Sequence, residues 1–154
     1  MARARGTSVW PALVSLGAVM LLGVSGAIAA LGDTLFPVTS VAAGLSLDLD
    51  PAASIFVRLR LFHPMIAAAA GAWLLFYSVS IVSRRPDARV QAWIVVVMVG
   101  AQLGAGVTNL LLLAPVWMQV VHLLLADLLW IAFVLLAATT LQEPHARQRH
   151  PSTT

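Results

Sequence analysis

The sequence predicts an all-α integral membrane protein built as a bundle of four transmembrane helices. Hydrophobic residues make up 60% of the 154-residue chain and charged residues only 10%, which is too apolar for a soluble domain of this size. A helix needs about 20 apolar residues to cross a bilayer, and four such stretches occur between charged segments. The predicted domains are a cytoplasmic N-terminus at 1–9, a helical membrane domain at 10–141 and a disordered cytoplasmic tail at 142–154.

The four apolar stretches define the helices in order. They are predicted at roughly 10–31, 55–82, 90–113 and 115–141. A long polar loop joins helices one and two, and a tight turn around Ala114-Pro115 joins helices three and four. Because both connections lie on the same side of the membrane, helices two and four run in the same direction. Pro64, near the start of helix two, is expected to kink that helix or to mark its regular beginning.

The distribution of charge predicts the orientation in the membrane. All nine basic residues are arginines, and most lie in the termini and in the connection between helices two and three, whereas the loop 32–54 carries only acidic charges. By the positive-inside rule, both termini face the cytoplasm of a multi-pass protein in the inner (plasma) membrane. The basic charge is therefore topogenic, and no nucleic-acid partner is expected. Only Arg58 and Arg60 lie on the acidic outer side.

A weak internal repeat accompanies this topology. Leu22-Gly23-Val24-Ser25-Gly26 in helix one resembles Leu103-Gly104-Ala105-Gly106 in helix three, which predicts two parallel pseudo-repeats about an axis along the membrane normal. Glycines in both helices are expected to allow close helix–helix approach. These residues are Gly17, Gly23, Gly26, Gly100, Gly104 and Gly106.

The most informative residues are His63 and His122, which lie within apolar helices. Ionisable side chains are expensive in hydrocarbon and mark functional sites. At 1.5 Å per residue, both histidines lie about 10 Å below the outer surface. Equal depth on two parallel helices suits axial ligation of one haem from both faces. The predicted haem-iron ligands are thus His63 and His122.

Other roles for the histidine pair remain open: hydrogen bonds that are purely structural, a quinone site, or a metal-ion site. A di-histidine metal site would need nearby carboxylates. The only acid within a helix is Asp127, which lies five residues after His122 and so points away from it; a hydrogen bond to Asn109 or Gln102 on helix three is expected instead. The chain has no cysteine, which excludes thiolate ligands and disulfides.

Two polar residues lie one helical turn outward of the histidines. Arg60 precedes His63 by three residues and Gln119 precedes His122 by three, so each shares a face with its histidine. Both are predicted to bind the cofactor, because haem propionates need cationic or hydrogen-bonding partners near the interface. The alternative for Arg60, and the favoured one for Arg58, is that the arginine extends to the outer lipid phosphates.

Three segments resemble the haem A synthase family of cytochrome oxidase assembly proteins. They are GAIAALGDTLFP at 26–37, RLRLFHPM at 58–65 and LLLAPVWMQVVHLLLADLLWIAFVLL at 111–136. The resemblance covers about residues 15–141. It implies one half of an eight-helix arrangement, in which one half holds a haem b cofactor and the other takes haem O, whose methyl group is oxidised to the formyl group of haem A.

The resemblance further implies that His63 and His122 are axial ligands within a single half. The substrate half of the family carries a glutamate three residues before its first histidine; that position here is Arg60, and no helix contains a glutamate. The chain thus resembles the haem b half, as an oxidoreductase component whose catalytic residues are unknown. Its expected partners are lipid, haem, and further copies of itself or a second four-helix half. The alternative is a non-catalytic membrane cytochrome b or haem-binding assembly subunit.

Overall fold

The computed structural model describes residues 9–141, and the regular structure of this part of the chain is helical. Four segments are long and apolar enough to cross a membrane, as predicted. They are α1, Trp10–Leu35; the pair α3, Ile55–Arg60, and α4, Phe62–Arg84; α5, Arg89–Leu111, which follows a short 3₁₀ turn at Pro86–Ala88; and α6, Val116–Leu141. The N-terminal segment and the polar tail that contains His145 and His150 lie outside the described residues.

The second membrane segment is interrupted at Leu61, two residues before its histidine. Helix α3 ends at Arg60, and α4 begins at Phe62. Pro64 has no N–H to donate to the carbonyl of Arg60 four residues earlier, so the regular bonding of the helix is broken at this point. The expected effect of Pro64 is confirmed.

The bundle packs most tightly at the end where α4 and α5 are joined, which we call the arginine end because Arg84, Arg85 and Arg89 lie there. Helix α1 packs on α3 and α4, α4 packs on α5, and α5 packs on α6, whereas α1 and α6 touch only sparsely. The apolar core runs from mid-bundle towards the arginine end. It consists of Leu74, Tyr77, Ala88, Ala92, Val95, Val99, Leu129, Ala132, Phe133 and Leu136.

The opposite end, which we call the acidic end, carries the long loop after α1, the short connection between α5 and α6, and all the aspartates of the 32–54 loop. This loop contains a short helix, α2, at Val41–Asp48, which was not predicted. Ser40 caps the helix, because its hydroxyl accepts a hydrogen bond from the backbone N–H of Ala43 at 3.1 Å. The tight turn between α5 and α6 is confirmed; Leu113 and Ala114 adopt left-handed backbone angles with φ of 61° and 52°.

Candidate functional site

His63 lies against α1 in the half of the bundle nearer the acidic end. Its imidazole Nδ1 is 3.0 Å from the hydroxyl oxygen of Ser25. A Cβ at Gly26 would lie 3.2 Å from His63 Cε1, which is tighter than ordinary van der Waals contact. The absence of a side chain at Gly26 therefore provides the room that the imidazole occupies.

The Ser25 contact favours one tautomer of His63. The Ser25 hydroxyl oxygen also lies 3.1 Å from the backbone carbonyl of Leu22, to which it can donate its one proton. In that arrangement the oxygen accepts from the imidazole, so His63 is protonated on Nδ1 and its Nε2 keeps a free lone pair. A lone pair on Nε2 is what a metal ion or a haem iron needs.

His122 repeats this packing on the other helix pair. A Cβ at Gly106 on α5 would lie 3.2 Å from His122 Cε1. The hydrogen bonding is different, however: the amide nitrogen of Gln102 is 3.4 Å from His122 Nε2, and Nδ1 is buried without a partner among the described residues. The residue before Gly106 is Ala105, which offers no hydroxyl.

The two histidines lie at similar depth at the same end of the bundle. His63 is eight residues past the start of its membrane segment and His122 is six past the start of α6, which corresponds to about 12 Å and about 9 Å along the helices. Both side chains are half-buried.

The available donor set suits a haem better than a metal ion bound by protein alone. No group of three or more histidine, cysteine, aspartate or glutamate side chains with metal-binding geometry occurs within residues 9–141. A protein-bound transition metal ordinarily needs three or four such ligands. A haem iron takes four nitrogens from the porphyrin and needs only one or two axial ligands from the protein. His63 and His122 are able to supply these one or two ligands.

Arg60 lies in an ion-pair network at the acidic end. Its guanidinium binds the carboxylate of Asp48 on α2 and that of Asp33 at the end of α1, the latter at 3.2 Å. The side chain is 7% exposed, so it does not extend to lipid phosphates. Nη2 is buried without a partner in the described part of the chain. Through these ion pairs, Arg60 keeps the loop 36–54 packed over the end of the bundle that contains His63.

Gln119 and Arg58 have separate local positions. The Gln119 amide nitrogen donates to the backbone carbonyl of Ala114 at 2.6 Å and so closes the α5–α6 turn. Arg58 is exposed on α3, in agreement with the expectation that it extends to the membrane surface. To bind a cofactor, the Gln119 amide would have to give up its hydrogen bond to Ala114, so the predicted role of Gln119 stays a prediction.

The expectation that Asp127 pairs with Asn109 or Gln102 is wrong. Asp127 is exposed and makes no hydrogen bond or ion pair with any residue that the structure describes. It lies two positions before buried Leu129, and residues two apart on a helix project to nearly opposite sides. The carboxylate therefore faces away from the bundle, close to mid-depth of α6.

Sequence comparison places these features in a family. Residues 2–134 match the cytochrome oxidase assembly protein family. The match covers most of the chain and includes both histidines. This chain belongs to the cytochrome oxidase assembly protein family. The resemblance noted from the three sequence segments is thereby confirmed.

Similar sequence also occurs within longer proteins. The chain is 42% identical over 142 residues to proteins named protoheme IX farnesyltransferase from two strains of Thermus thermophilus. The alignment covers 91% of this chain and 23% of each relative, so the chain spans about a quarter of their length. No solved structure matches the chain.

The site of this family member includes residues that sequence reasoning missed. Ser25, Gln102 and the contact roles of Gly26 and Gly106 emerge only from the structure. The glycine repeat was the available signal, but it was aligned through Gly23 and Gly104. Those two glycines, together with Gly17 and Gly100, have no atom within 4 Å of a Cβ placed on them, so no helix within the described part of this chain approaches closely at these four positions.

Proposed function

We propose that this chain binds one haem b between His63 and His122 and takes part in forming haem A for cytochrome oxidase. The observation that carries the proposal is the matched packing of the two imidazoles. Each ring lies on a glycine of the preceding membrane helix, at similar depth and at the same end of the bundle. Family membership supplies the biological setting, and the relatives named for protoheme IX act on the same porphyrin.

The residues of the chain have distinct tasks in this proposal. His63 and His122 supply the axial nitrogens, Gly26 and Gly106 leave room for the rings, and Ser25 holds the Nδ1 proton of His63 so that Nε2 is available. A haem with two axial histidines supplies one-electron transfer, because both of its axial positions are filled.

Oxidation of haem O itself is proposed to occur on another four-helix unit. Arg60 occupies the position of the family's catalytic glutamate and forms ion pairs with Asp33 and Asp48. The second unit would be a further copy of this chain or a separate subunit. That relatives carry the matching segment within chains about four times as long supports cooperation with other membrane domains.

Two features of the outer surface support such an assembly. Gly100 and Gly104, spaced as in the GxxxG motif of membrane helix pairs, face open space on α5. Asp127 presents a carboxylate at mid-depth on the outer side of α6, where charged residues are costly unless they pair within a protein interface. We infer that these surfaces are covered by protein rather than by lipid.

We further propose that the chain resides in the inner membrane with its arginine end in the cytoplasm. Among residues 9–141, the arginine end carries Arg84, Arg85 and Arg89 with the single acid Asp87, whereas Asp33 and Asp48 pair with Arg60 at the acidic end. Orientation by the positive-inside rule follows from this asymmetry. The haem would then lie nearer the outer surface.

The proposal is tested by absorbance spectra of the detergent-purified protein, recorded as dithionite-reduced minus oxidised, with a pyridine haemochrome assay. Stoichiometric haem b with a low-spin spectrum is expected. The low-spin signature should disappear in His63→Ala and in His122→Ala and persist in His145→Ala, a control outside the described residues. A wild-type protein that binds no haem, or variants that keep the low-spin spectrum, would overturn the proposal.

A second candidate is a haem-binding subunit without a part in haem A chemistry. One observation favours this candidate: Arg60, at the position of the family's catalytic glutamate, forms ion pairs with Asp33 and Asp48 that have a structural role. The haem A content of a deletion strain discriminates the two. Loss of haem A that is restored by the wild-type chain supports the first candidate, and a normal haem A level supports the second.

A further inference from the structure

The two histidines are held differently although their packing is alike. The Nδ1 atom of His63 is 3.0 Å from the Ser25 hydroxyl oxygen, and it donates there when that hydroxyl donates to the Leu22 carbonyl. Ligation of iron at Nε2 leaves this hydrogen bond intact. A ligand whose second nitrogen is hydrogen-bonded keeps its tautomer and ring orientation, and the bond raises its basicity.

His122 has its contact on the other nitrogen. The Gln102 amide nitrogen lies 3.4 Å from His122 Nε2, the nitrogen that corresponds to the free one of His63. With the amide in this orientation, its N–H donates to Nε2 and Nδ1 carries the proton, while the amide oxygen Oε1 is buried without a partner among the described residues. That Nδ1 is buried without a partner among the described residues. Iron ligation at Nε2 would displace Gln102 and leave the ring without any hydrogen bond.

The source of the difference is one residue in each helix pair. Ser25 precedes Gly26, which packs on His63, and Ala105 precedes Gly106, which packs on His122. Both residues are buried at 8% exposure. His63 therefore has a hydroxyl group beside its ring, whereas the corresponding residue beside His122 has only a methyl group.

We propose that His63 is the fixed axial ligand of the haem and His122 the exchangeable one, with Ser25 as the positioning residue that creates the difference. The inference rests on the proposed bis-histidine haem site. In the haem-loaded protein, His63 would hold the iron throughout, whereas His122 would give up its place to an external diatomic ligand and would again accept a hydrogen bond from Gln102. Such a haem is able to bind small ligands as well as transfer electrons.

The first test uses carbon monoxide and the reduced, haem-loaded protein. Wild-type protein should bind carbon monoxide with loss of the bis-histidine spectrum. His122→Ala should keep its haem in a high-spin, five-coordinate form, whereas His63→Ala should retain about tenfold less haem, in line with the 10–100-fold effect of losing a well-supported ligand. Equal haem retention in the two variants, or greater retention in His63→Ala, would overturn the assignment.

Reciprocal variants test the role of Ser25 and of its counterpart. Ala105→Ser gives His122 the hydroxyl that His63 has, and carbon monoxide affinity should fall about tenfold while the low-spin spectrum persists. Ser25→Ala should weaken haem retention, and Ser25→Thr should restore it. An Ala105→Ser protein with unchanged carbon monoxide affinity and full haem content would contradict the proposal.

A readout that needs no haem separates this inference from the proposed function. In haem-free protein labelled with ¹⁵N-histidine, His63 should be protonated on Nδ1 alone, and Ser25→Ala should give a mixture of tautomers. Protonation of His63 on Nε2 would overturn the role of Ser25 whether or not haem binds. A wild-type protein that binds no haem overturns the ligand assignment together with the proposed function, whereas a full haem complement with equivalent histidines overturns the inference alone.

Discussion

Gly26 lies directly beneath the imidazole of His63: a Cβ at this position would be 3.2 Å from Cε1 and 3.7 Å from both ring nitrogens. The ring is therefore seated on the backbone of α1 and held laterally by Ser25. The same relationship recurs between Gly106 and His122. Each histidine is thus positioned by the membrane helix that precedes its own, and not by neighbours on its own helix.

This relationship predicts that Gly26→Ala displaces the His63 ring and lowers haem retention. The added methyl group forces the imidazole to shift by a few tenths of an ångström, and the shift also stretches the hydrogen bond to Ser25. A decrease in haem occupancy of about tenfold is expected, similar to the loss of a group that orients a metal ligand. Haem per protein, measured by pyridine haemochrome after purification, checks the prediction.

Gly23→Ala is the matched control for this substitution. Gly23 lies on the same helix and in the same glycine segment, but a Cβ there meets no atom within 4 Å. The control should keep full haem and the same thermal stability as the wild type. If Gly23→Ala and Gly26→Ala lose haem equally, the seating of His63 on α1 is not what retains the haem.

The ion-pair network of Arg60 leads to a second prediction, which concerns amide hydrogen exchange in the loop 36–54. Arg60→Gln removes the buried cation that joins Asp33 to Asp48 and leaves two carboxylates facing each other. Removing one partner of a buried ion pair typically costs about 3 kcal/mol, so amide hydrogen exchange in α2 should become about a hundredfold faster. Hydrogen–deuterium exchange followed by mass spectrometry, resolved for Val41–Asp48, measures this change.

Arg58→Gln provides the comparison, because Arg58 has the same charge two residues away but is exposed. It should leave exchange in α2 unchanged. Asp48→Asn should act in the same direction as Arg60→Gln, because it breaks the network from the other side. Unchanged exchange in both Arg60→Gln and Asp48→Asn would mean that the network does not hold the loop closed.

The helices and the histidine pair were predictable from the sequence because both depend on local, one-dimensional signals. Apolar length sets each span, and an ionisable residue inside a span is conspicuous whatever its neighbours. The effect of Pro64 was predictable for the same reason, since the missing N–H acts within its own turn. The predicted helix ends differ from the observed ones by a few residues, as expected where fraying and loop packing decide the boundary.

What could not be predicted depends on how the helices face one another. Hydropathy places Asp127 in a helix but does not give the side on which it lies, and the structure places it opposite buried Leu129. The role of Arg60 required knowledge that α2 forms and brings Asp48 towards it. The glycine repeat was visible, yet only the packing distinguishes Gly26, beneath a histidine, from Gly23, which faces open space.

The proposed orientation gives a prediction that uses the absence of cysteine from the chain. Single cysteines introduced by Ser46→Cys, at the acidic end, and Ser83→Cys, at the arginine end, are the only thiols in each variant. Both positions are exposed. A membrane-impermeant maleimide should label Ser46→Cys in spheroplasts and should label Ser83→Cys only after the membrane is permeabilised. The reverse labelling pattern would place the arginine end outside.

The outer surface of the bundle predicts self-association or association with a second four-helix unit. Asp127 lies eleven residues past the start of α6, about 16 Å along the helix and so near mid-depth. Gly104→Leu fills the open face of α5, and Asp127→Leu removes a polar group available for pairing across the interface. Each polar or close-packed contact in a membrane contributes about 1–2 kcal/mol, so the dissociation constant should rise about tenfold in each variant.

Oligomeric state in lipid nanodiscs, measured by mass photometry over a dilution series, checks this prediction. Phe76→Leu is the control, because Phe76 is 67% exposed on α4 and adds neither a polar group nor a close backbone contact. The control should associate like the wild type, and all three variants should retain haem, since none of the substituted residues contacts His63 or His122. If the wild-type chain is monomeric at every concentration, it does not associate with itself, and the second four-helix unit must be a different subunit. If it forms oligomers that Gly104→Leu and Asp127→Leu do not affect, the interface lies on another face of the bundle.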